Sequence, residues 1–193
     1  MIYSADKRYI KLAAQKILEG DIIIYPTDTL YGFGVDATNS NSINMLNKLK
    51  KRSVPLSIIV SSTEMLEKYA NFDICNKNII NDLLPGAFTL LLKSKQSNLS
   101  NKICLNSNKI GIRIPKSTFI LDVVNLINKP IVTTSVNVNN SPSLNDVNEI
   151  SLSFRNIDIF KGKVNKKSKG STIIDFSLDK PQIVRVGDGD FTL

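Results

Sequence analysis

Hydrophobic residues recur along the chain with two spacings, which predicts helices that alternate with strands. Residues 6–19 place apolar side chains on one helical face, and Gly20 follows as a helix stop. The next residues, 21–27, read DIIIYPT and predict a buried strand. Further helices are predicted near 41–51, from a capping box at 61–64, and at 76–84, 117–127 and 144–153. Further strands are predicted at 56–60, 88–93, 109–114, 130–136, 156–160, 171–176 and 181–186.

This alternation indicates an α/β fold with an open, mixed sheet of parallel and antiparallel strands and flanking helices. No internal repeat or composition break is visible, so residues 1–193 are expected to form one domain. Ser117 is expected to cap the helix that follows it. Residues 161–170, KGKVNKKSKG, are expected to form a mobile basic surface loop.

The composition excludes several classes of reaction. The chain has no histidine and two cysteines, Cys75 and Cys104, far apart in the sequence. A Ser-His-Asp triad, a thiolate–imidazole pair and a histidine-ligated zinc are therefore ruled out, and no metal site is predicted. No apolar run is long enough to span a membrane, and the N-terminus lacks a signal-peptide core, so a cytoplasmic location is expected.

The net charge of +8 has two interpretations. A surface rich in lysine and asparagine accounts for it without any function. A positive field that attracts the phosphates of a nucleotide or RNA is the second interpretation, and charge alone does not separate the two. Because the chain has only five arginines, their positions carry more information than the total charge.

Hydroxyl and guanidinium groups collect where predicted strands begin or end. The first buried strand ends in Thr27-Asp28-Thr29, Arg113 lies in GIRIP, and Arg185 lies in IVRVG. In open α/β sheets, ligands bind beyond the strand ends. The set therefore favours an anionic ligand with a small polar part, such as a nucleotide with an amino acid. An ordinary turn with Asp28 as its cap is the alternative.

Two nucleotide motifs give no better explanation. Residues 32–37, GFGVDA, match the GxGxxA of a dinucleotide-binding turn, but no helix opens directly on them. The phosphate-binding pattern GxxxxGK[ST] does not occur in the sequence. We instead expect Gly32 and Gly34 to let the backbone turn closely around a pocket lined by Thr29.

Seven motifs in order across residues 22–187 resemble those of the YrdC-like threonylcarbamoyl-AMP synthases, in their short single-domain form. They are YPTDTLYGFG, the KxR of Lys50 to Arg52 with PLSIIV, LLPGAFTLLLK, IGIRIP, the SxN of Ser135 to Asn137, STIID and IVRVG. The resemblance implies a twisted mixed sheet around a basic concave cavity. It also implies synthesis of L-threonylcarbamoyladenylate and pyrophosphate from L-threonine, bicarbonate and ATP, with Mg²⁺. The product would feed partner proteins that modify tRNA beside the anticodon.

The resemblance also implies roles for individual residues. Those expected to bind L-threonine are Thr29, Arg113, Thr133 and Ser171. Those expected to bind ATP are Arg52, Lys109, Ser135, Ser143 and Arg185. Those expected to be catalytic are Lys50, Arg52, Ser135 and Asn137. No protein nucleophile is expected, because the residues need only align the reactants and neutralise their negative charges.

The sequence departs from the family pattern after Arg52. The family commonly has KxRPxxKPL, whereas here the segment is two residues shorter and lacks the second lysine. Lys51 and Lys109 are candidates to supply that charge. An RNA-binding module of the same fold, without synthase activity, is the alternative function. A divergent enzyme that uses another amino acid or carbamoyl donor is a third interpretation.

Overall fold

The computed structural model describes residues 1–51, 55–138 and 141–192, except for the side chain of Cys75. Six α-helices are described: α1 (Ile10–Glu19), α2 (Ser40–Lys50), α3 (Thr63–Glu67), α4 (Lys77–Leu83), α5 (Thr118–Ile127) and α6 (Val147–Ser153). Short 3₁₀ turns lie at Lys7–Tyr9 and Ile74–Asn76. Among these described residues, no helix is both long and apolar enough to cross a membrane.

The strands are β1 (Ile2–Ser4), β2 (Ile23–Pro26), β3 (Tyr31–Asp36), β4 (Ser57–Ile59), β5 (Ala70–Asn71), β6 (Phe88–Ser94), β7 (Lys109–Arg113), β8 (Ile131–Ser135), β9 (Asp158–Lys161), β10 (Thr172–Asp175) and β11 (Gln182–Arg185). All of these form one sheet, ordered β1-β9-β2-β3-β8-β4-β7-β6-β10-β11, with β5 paired to β6. Four of its neighbouring pairs are parallel and the others antiparallel. The predicted mixed α/β sheet is therefore confirmed.

Helices α1 and α5 pack against each other, and α1 also contacts strands β2 and β3. Their buried faces carry apolar side chains, such as Ala13 and Ile17 in α1 and Ile120 and Val123 in α5, because these recur at helical spacing. Gly20 ends α1 in the left-handed conformation, with φ of 93°, as the sequence predicts. The core lies between these helices and one face of the sheet.

The structure corrects the prediction that Gly32 and Gly34 form a turn. Both lie within β3, paired antiparallel with β2, and the turn is made by residues 27–30. A Cβ on Gly34 would stand 2.7 Å from a ring carbon of Tyr25, so this glycine leaves room for the buried tyrosine ring. The strand is fully buried and glycine-rich, so it shows neither alternation nor the usual strand composition.

The basic segment 161–170 is also more tightly held than predicted. Asp188 accepts a hydrogen bond from the Lys169 backbone N–H, at 2.8 Å, and another from the Ser168 hydroxyl. The Asp188 N–H in turn donates to the Gly170 carbonyl at 2.7 Å. The C-terminal residues therefore fix the second half of this loop against the sheet.

The close approach of Tyr25 to Gly34 gives the first testable prediction. Gly34→Ala should lower the free energy of unfolding by about 1–3 kcal/mol, because the added methyl group overpacks the buried ring. Gln182→Ala is the control, since it places alanine on the exposed strand β11, and should change the value by less than about 0.5 kcal/mol. Urea unfolding curves measure both variants. Equal stability of the two would contradict the packing account.

Candidate active site

A polar cavity of about 250 Å³ lies against the sheet where β3, β8, β4, β7, β6 and β10 run side by side. The register of the strands accounts for part of the cavity floor. Ser57 lies opposite both Thr133 and Gly111, and paired residues face the same side of a sheet. The lining residues are Thr27, Thr29, Leu30, Tyr31, Gly32, Pro55, Leu56, Ser57, Thr89, Arg113, Thr133, Thr134, Ser135, Ser143, Lys169, Gly170, Ser171, Ile173 and Arg185.

The turn between β2 and β3 forms one wall of the cavity. The hydroxyls of Thr27 and Thr29 share a hydrogen bond of 3.1 Å. The Thr27 hydroxyl also donates to the Leu30 carbonyl at 2.7 Å and accepts from the Thr29 backbone N–H. Because both hydroxyls are buried and bonded to the turn, they are held in fixed positions beside the cavity.

Arg113 places a buried guanidinium at the end of β7. Its side chain is 9% exposed, and its Nη2 donates to Asp28 Oδ1 at 2.9 Å and to the Thr29 hydroxyl at 3.3 Å. Burial lowers the pKa of Arg113, and the charge of Asp28 opposes that shift. Nε of Arg113 is buried and has no hydrogen-bond partner among the described residues, while the guanidinium as a whole lines the cavity.

Two further hydroxyls are oriented by buried partners. The Tyr25 hydroxyl donates to the Thr133 hydroxyl at 2.9 Å, and burial raises the pKa of Tyr25, which keeps this donor protonated. The hydroxyls of Thr89 and Ser171 share a hydrogen bond of 2.7 Å. Several hydroxyl groups that line the cavity are therefore held in place by hydrogen bonds.

Arg185 extends from the edge strand β11 to the same wall. Its Nη2 donates to the Ser171 carbonyl at 2.7 Å and to the Ser171 hydroxyl at 3.2 Å. Partial burial lowers the pKa of Arg185, and the charge of Asp188 opposes the shift. No ion pair to Arg185 or Lys169 is found among the described residues, so both bring positive charge to the cavity.

Lys50 lies behind the wall and not in it. Its ammonium group, at the end of α2, donates to the carbonyls of Ser135 and Asn137 at 2.6 and 3.0 Å and to Asn137 Oδ1 at 2.6 Å. It also lies 5.4 Å from the centre of the Phe33 ring. Lys50 thus holds the segment with Ser135 and Asn137 in place, and its predicted catalytic role stays a prediction.

The cavity brings together seven of the predicted site residues: Thr29, Arg113, Thr133, Ser135, Ser143, Ser171 and Arg185. Asn137 lies beside the cavity, where its Oδ1 accepts from the Ser135 hydroxyl at 2.9 Å. Arg52 lies outside the described residues. These placements do not test the individual roles, which stay predictions.

The structure does not bring Lys109 to the cavity. Lys109 begins β7 and Arg113 ends it, which separates them by about 13 Å. The Lys109 ammonium pairs with Asp175 at 2.7 Å, a contact that no local sequence pattern predicts. Lys51, the other candidate for the missing charge, is the exposed C-cap residue that follows α2.

Several lining residues were not identified by sequence reasoning, among them Ser57, Thr89 and Lys169. Thr89 lies in FTLLLK, where a threonine in a strand carries no sign of function. Lys169 lies in the basic loop, where one lysine among several is not distinguishable. Asp28 was interpreted only as a turn cap, although it is the ion-pair partner of Arg113.

Comparisons with known proteins agree with this geometry. The family model of the Sua5, YciO and YrdC proteins, described as telomere recombination, matches residues 15–187. A Methanocaldococcus jannaschii protein, provisionally named a threonylcarbamoyl-AMP synthase, is 36% identical over 94% of this chain and 86% of its own length. The Mus musculus threonylcarbamoyl-AMP synthase is 28% identical over 92% of this chain and 66% of its own.

The fold agrees as well. The crystal structure of Sua5 from Pyrococcus abyssi, complexed with L-threonine, superposes with a TM-score of 0.88 at 26% identity. The match covers 97% of this chain and 57% of that protein, so the chain spans little more than half of this relative.

The three acceptors of Lys50 give the second prediction. Lys50→Met should lower the free energy of unfolding by about 3 kcal/mol, because it leaves buried carbonyl and amide oxygens without a donor. Lys48→Met changes an exposed lysine of the same helix and should cost less than about 0.5 kcal/mol. Denaturant unfolding measures both. If the two variants unfold at the same midpoint, Lys50 does not anchor this segment.

Proposed function

The chain belongs to the family of Sua5, YciO and YrdC proteins, and on that basis we propose that it is a threonylcarbamoyl-AMP synthase. As such it is a nucleotidyltransferase that forms L-threonylcarbamoyladenylate and pyrophosphate from L-threonine, bicarbonate and ATP. The product serves the modification of tRNA beside the anticodon, carried out with partner proteins in the cytoplasm. The single observation that carries the proposal is the buried, incompletely bonded guanidinium of Arg113 in a cavity of fixed hydroxyls.

We propose that the threonine substrate binds at this guanidinium. Arg113 holds the substrate carboxylate through its remaining donors, in a fork geometry that an ammonium group does not offer. The hydroxyls of Thr29, Thr133 and Ser171 line the same space and provide polar contacts for the small amino acid. The complex of Pyrococcus abyssi Sua5 with L-threonine supports this assignment.

We propose that ATP occupies the part of the cavity near Ser135, Ser143 and Arg185. Arg52 is added from its motif alone. Lys169 is the cation that takes over the charge of the missing family lysine, because it reaches this cavity and Lys109 does not. Cations beside a triphosphate neutralise the charge that builds up as an anionic nucleophile approaches.

The chemistry needs alignment and no protein nucleophile. The amine of threonine attacks the carbon of bicarbonate, a C–N bond forms, and water leaves with a proton from the nitrogen. A carbamate oxygen then attacks the α-phosphorus of ATP, an O–P bond forms, and the bond to the pyrophosphate oxygen breaks. Arg113, Lys169 and Arg185 hold the anionic groups close together, which is the main requirement of phosphoryl transfer.

Magnesium is proposed to arrive with ATP. The residues that line the cavity offer hydroxyls and cations but no carboxylate. Within residues 1–51, 55–138 and 141–192, no group of three His, Cys, Asp or Glu side chains could hold a metal ion. A hard cation in such a site is coordinated mainly by phosphate oxygens and water, and it would supply charge neutralisation on the triphosphate.

The RNA-binding alternative is less well supported. A groove that holds an RNA backbone needs exposed cations that reach its phosphates. Arg113 is 9% exposed at the side chain and is held by Asp28 within the cavity, where a small carboxylate fits better than a polynucleotide. The net charge of +8 remains compatible with tRNA contact at the surface.

The proposal predicts pyrophosphate release that requires both L-threonine and bicarbonate. Arg113→Lys should raise the KM for L-threonine about 10–100-fold and change the KM for ATP less than about twofold, because it loses the fork and keeps the charge. Arg155→Ala, at an exposed arginine outside the cavity lining, is the control and should match wild type. Equal turnover with L-serine, or none with L-threonine, would overturn the proposed function.

Arg52→Ala should abolish turnover with the fold intact.

Lys169 gives a separate prediction. Lys169→Ala should raise the KM for ATP about 3–10-fold with little effect on the KM for L-threonine, because one partly solvated charge beside the triphosphate is lost. Lys167→Ala lies in the same loop, exposed and outside the cavity lining, and should change neither value. Steady-state pyrophosphate release measures both. Equal effects of the two substitutions would mean that Lys169 acts only through the general surface charge.

A further inference from the structure

Asp28 joins two segments that flank the cavity. Its Oδ1 accepts from Arg113 Nη2 at 2.9 Å, and its Oδ2 accepts from the Lys116 backbone N–H at 2.9 Å. Beside it, the Ser117 hydroxyl donates to the Pro26 carbonyl at 3.1 Å and makes no cap bond to α5, contrary to the capping role that the sequence predicts. The β2–β3 turn is therefore tied to the β7–α5 junction by side chains as well as by packing.

We propose that Asp28 is a positioning residue that sets the orientation of the Arg113 guanidinium for the substrate carboxylate. This inference rests on the proposed function and extends it to a residue outside the cavity lining. The side chains of Asp28 and Arg113 are 11% and 9% exposed, so neither is free to turn toward solvent. The carboxylate of Asp28 holds Nη2 from outside the cavity lining, and it thereby fixes the plane of a guanidinium that lines the cavity.

An aspartate is required at this position for a geometric reason. Both of its oxygens act as acceptors, one for a guanidinium N–H and one for a backbone N–H. Asparagine has one acceptor oxygen and an NH₂ group, so it satisfies one of the two donors and places N–H against N–H at the other. Glutamate carries the same two acceptors one methylene further out, which displaces them from both donors. Asp28→Asn therefore loosens the guanidinium with minimal change in volume.

The negative charge of Asp28 and its positioning of Arg113 have opposite effects on threonine binding. A carboxylate next to Arg113 lowers the positive potential that an incoming carboxylate experiences, so removing the charge alone would strengthen threonine binding. Loss of orientation weakens binding, since a mobile guanidinium must be ordered again by each ligand. The two effects have opposite signs, and the sign of the measured change decides between them.

The test compares Asp28→Asn with Asp175→Asn. Asp175 is matched to Asp28, because it is also a nearly buried aspartate whose two oxygens accept from a cation and a backbone N–H, away from the cavity. We expect Asp28→Asn to raise the KM for L-threonine about tenfold and the KM for ATP less than twofold. Asp175→Asn should lose comparable stability and leave both values unchanged.

A double-mutant cycle shows whether Asp28 acts through Arg113. In the Arg113→Lys background there is no fork to orient, so adding Asp28→Asn should change the KM for L-threonine less than about twofold. The positioning role would be overturned if Asp28→Asn raised the KM for L-threonine by the same factor in both backgrounds. A parallel rise in the KM for ATP, or tighter threonine binding by calorimetry, would overturn it as well. Wild-type protein that releases no pyrophosphate with L-threonine, bicarbonate and ATP would instead overturn the proposed function.

Discussion

The cavity depends on how the fold holds one buried guanidinium, that of Arg113 at the end of β7. Burying a charge costs several kcal/mol unless it is paired and hydrogen-bonded, and Arg113 meets this requirement through Asp28. The pairing is incomplete within the part of the chain that the structure describes, since Nε has no partner there. A fully bonded arginine would stabilise the fold and bind nothing, whereas an unpaired one would destabilise it. The partial pairing stabilises the buried charge and is compatible with ligand binding.

Lys50 shows the opposite solution to the same problem. Its ammonium group has three proton donors, and three oxygens of Ser135 and Asn137 accept from it. The charge is used to fix a loop, because carbonyl groups that converge on one point need a cation or water to hold them. The two buried cations therefore differ in role: Lys50 orders a segment beside the cavity, and Arg113 lines the cavity itself.

The sequence predicted most of the fold and the part of the site that follows from motifs. Strands such as β6 and β8 were found because apolar runs bounded by turn residues are informative on their own. Strand β3 was missed because glycines there make room for Tyr25, which lies in another strand. Thr89 and Lys169 were missed for a similar reason: their place in the cavity depends on sheet order, which no local pattern encodes.

The pairing of Asp28 also explains why a chain without histidine can have an active site of this kind. An enzyme that moves protons needs groups whose pKa lies near neutrality, whereas this cavity is lined by hydroxyl, guanidinium and ammonium groups. Such a site works through where its charges and donors point, so its precision depends on what holds them. The hydroxyls are held by Tyr25, Thr27 and Thr89, and the guanidinium by Asp28. The precision of this cavity therefore depends on Tyr25 and Asp28, which lie outside its lining, as well as on the groups that line it.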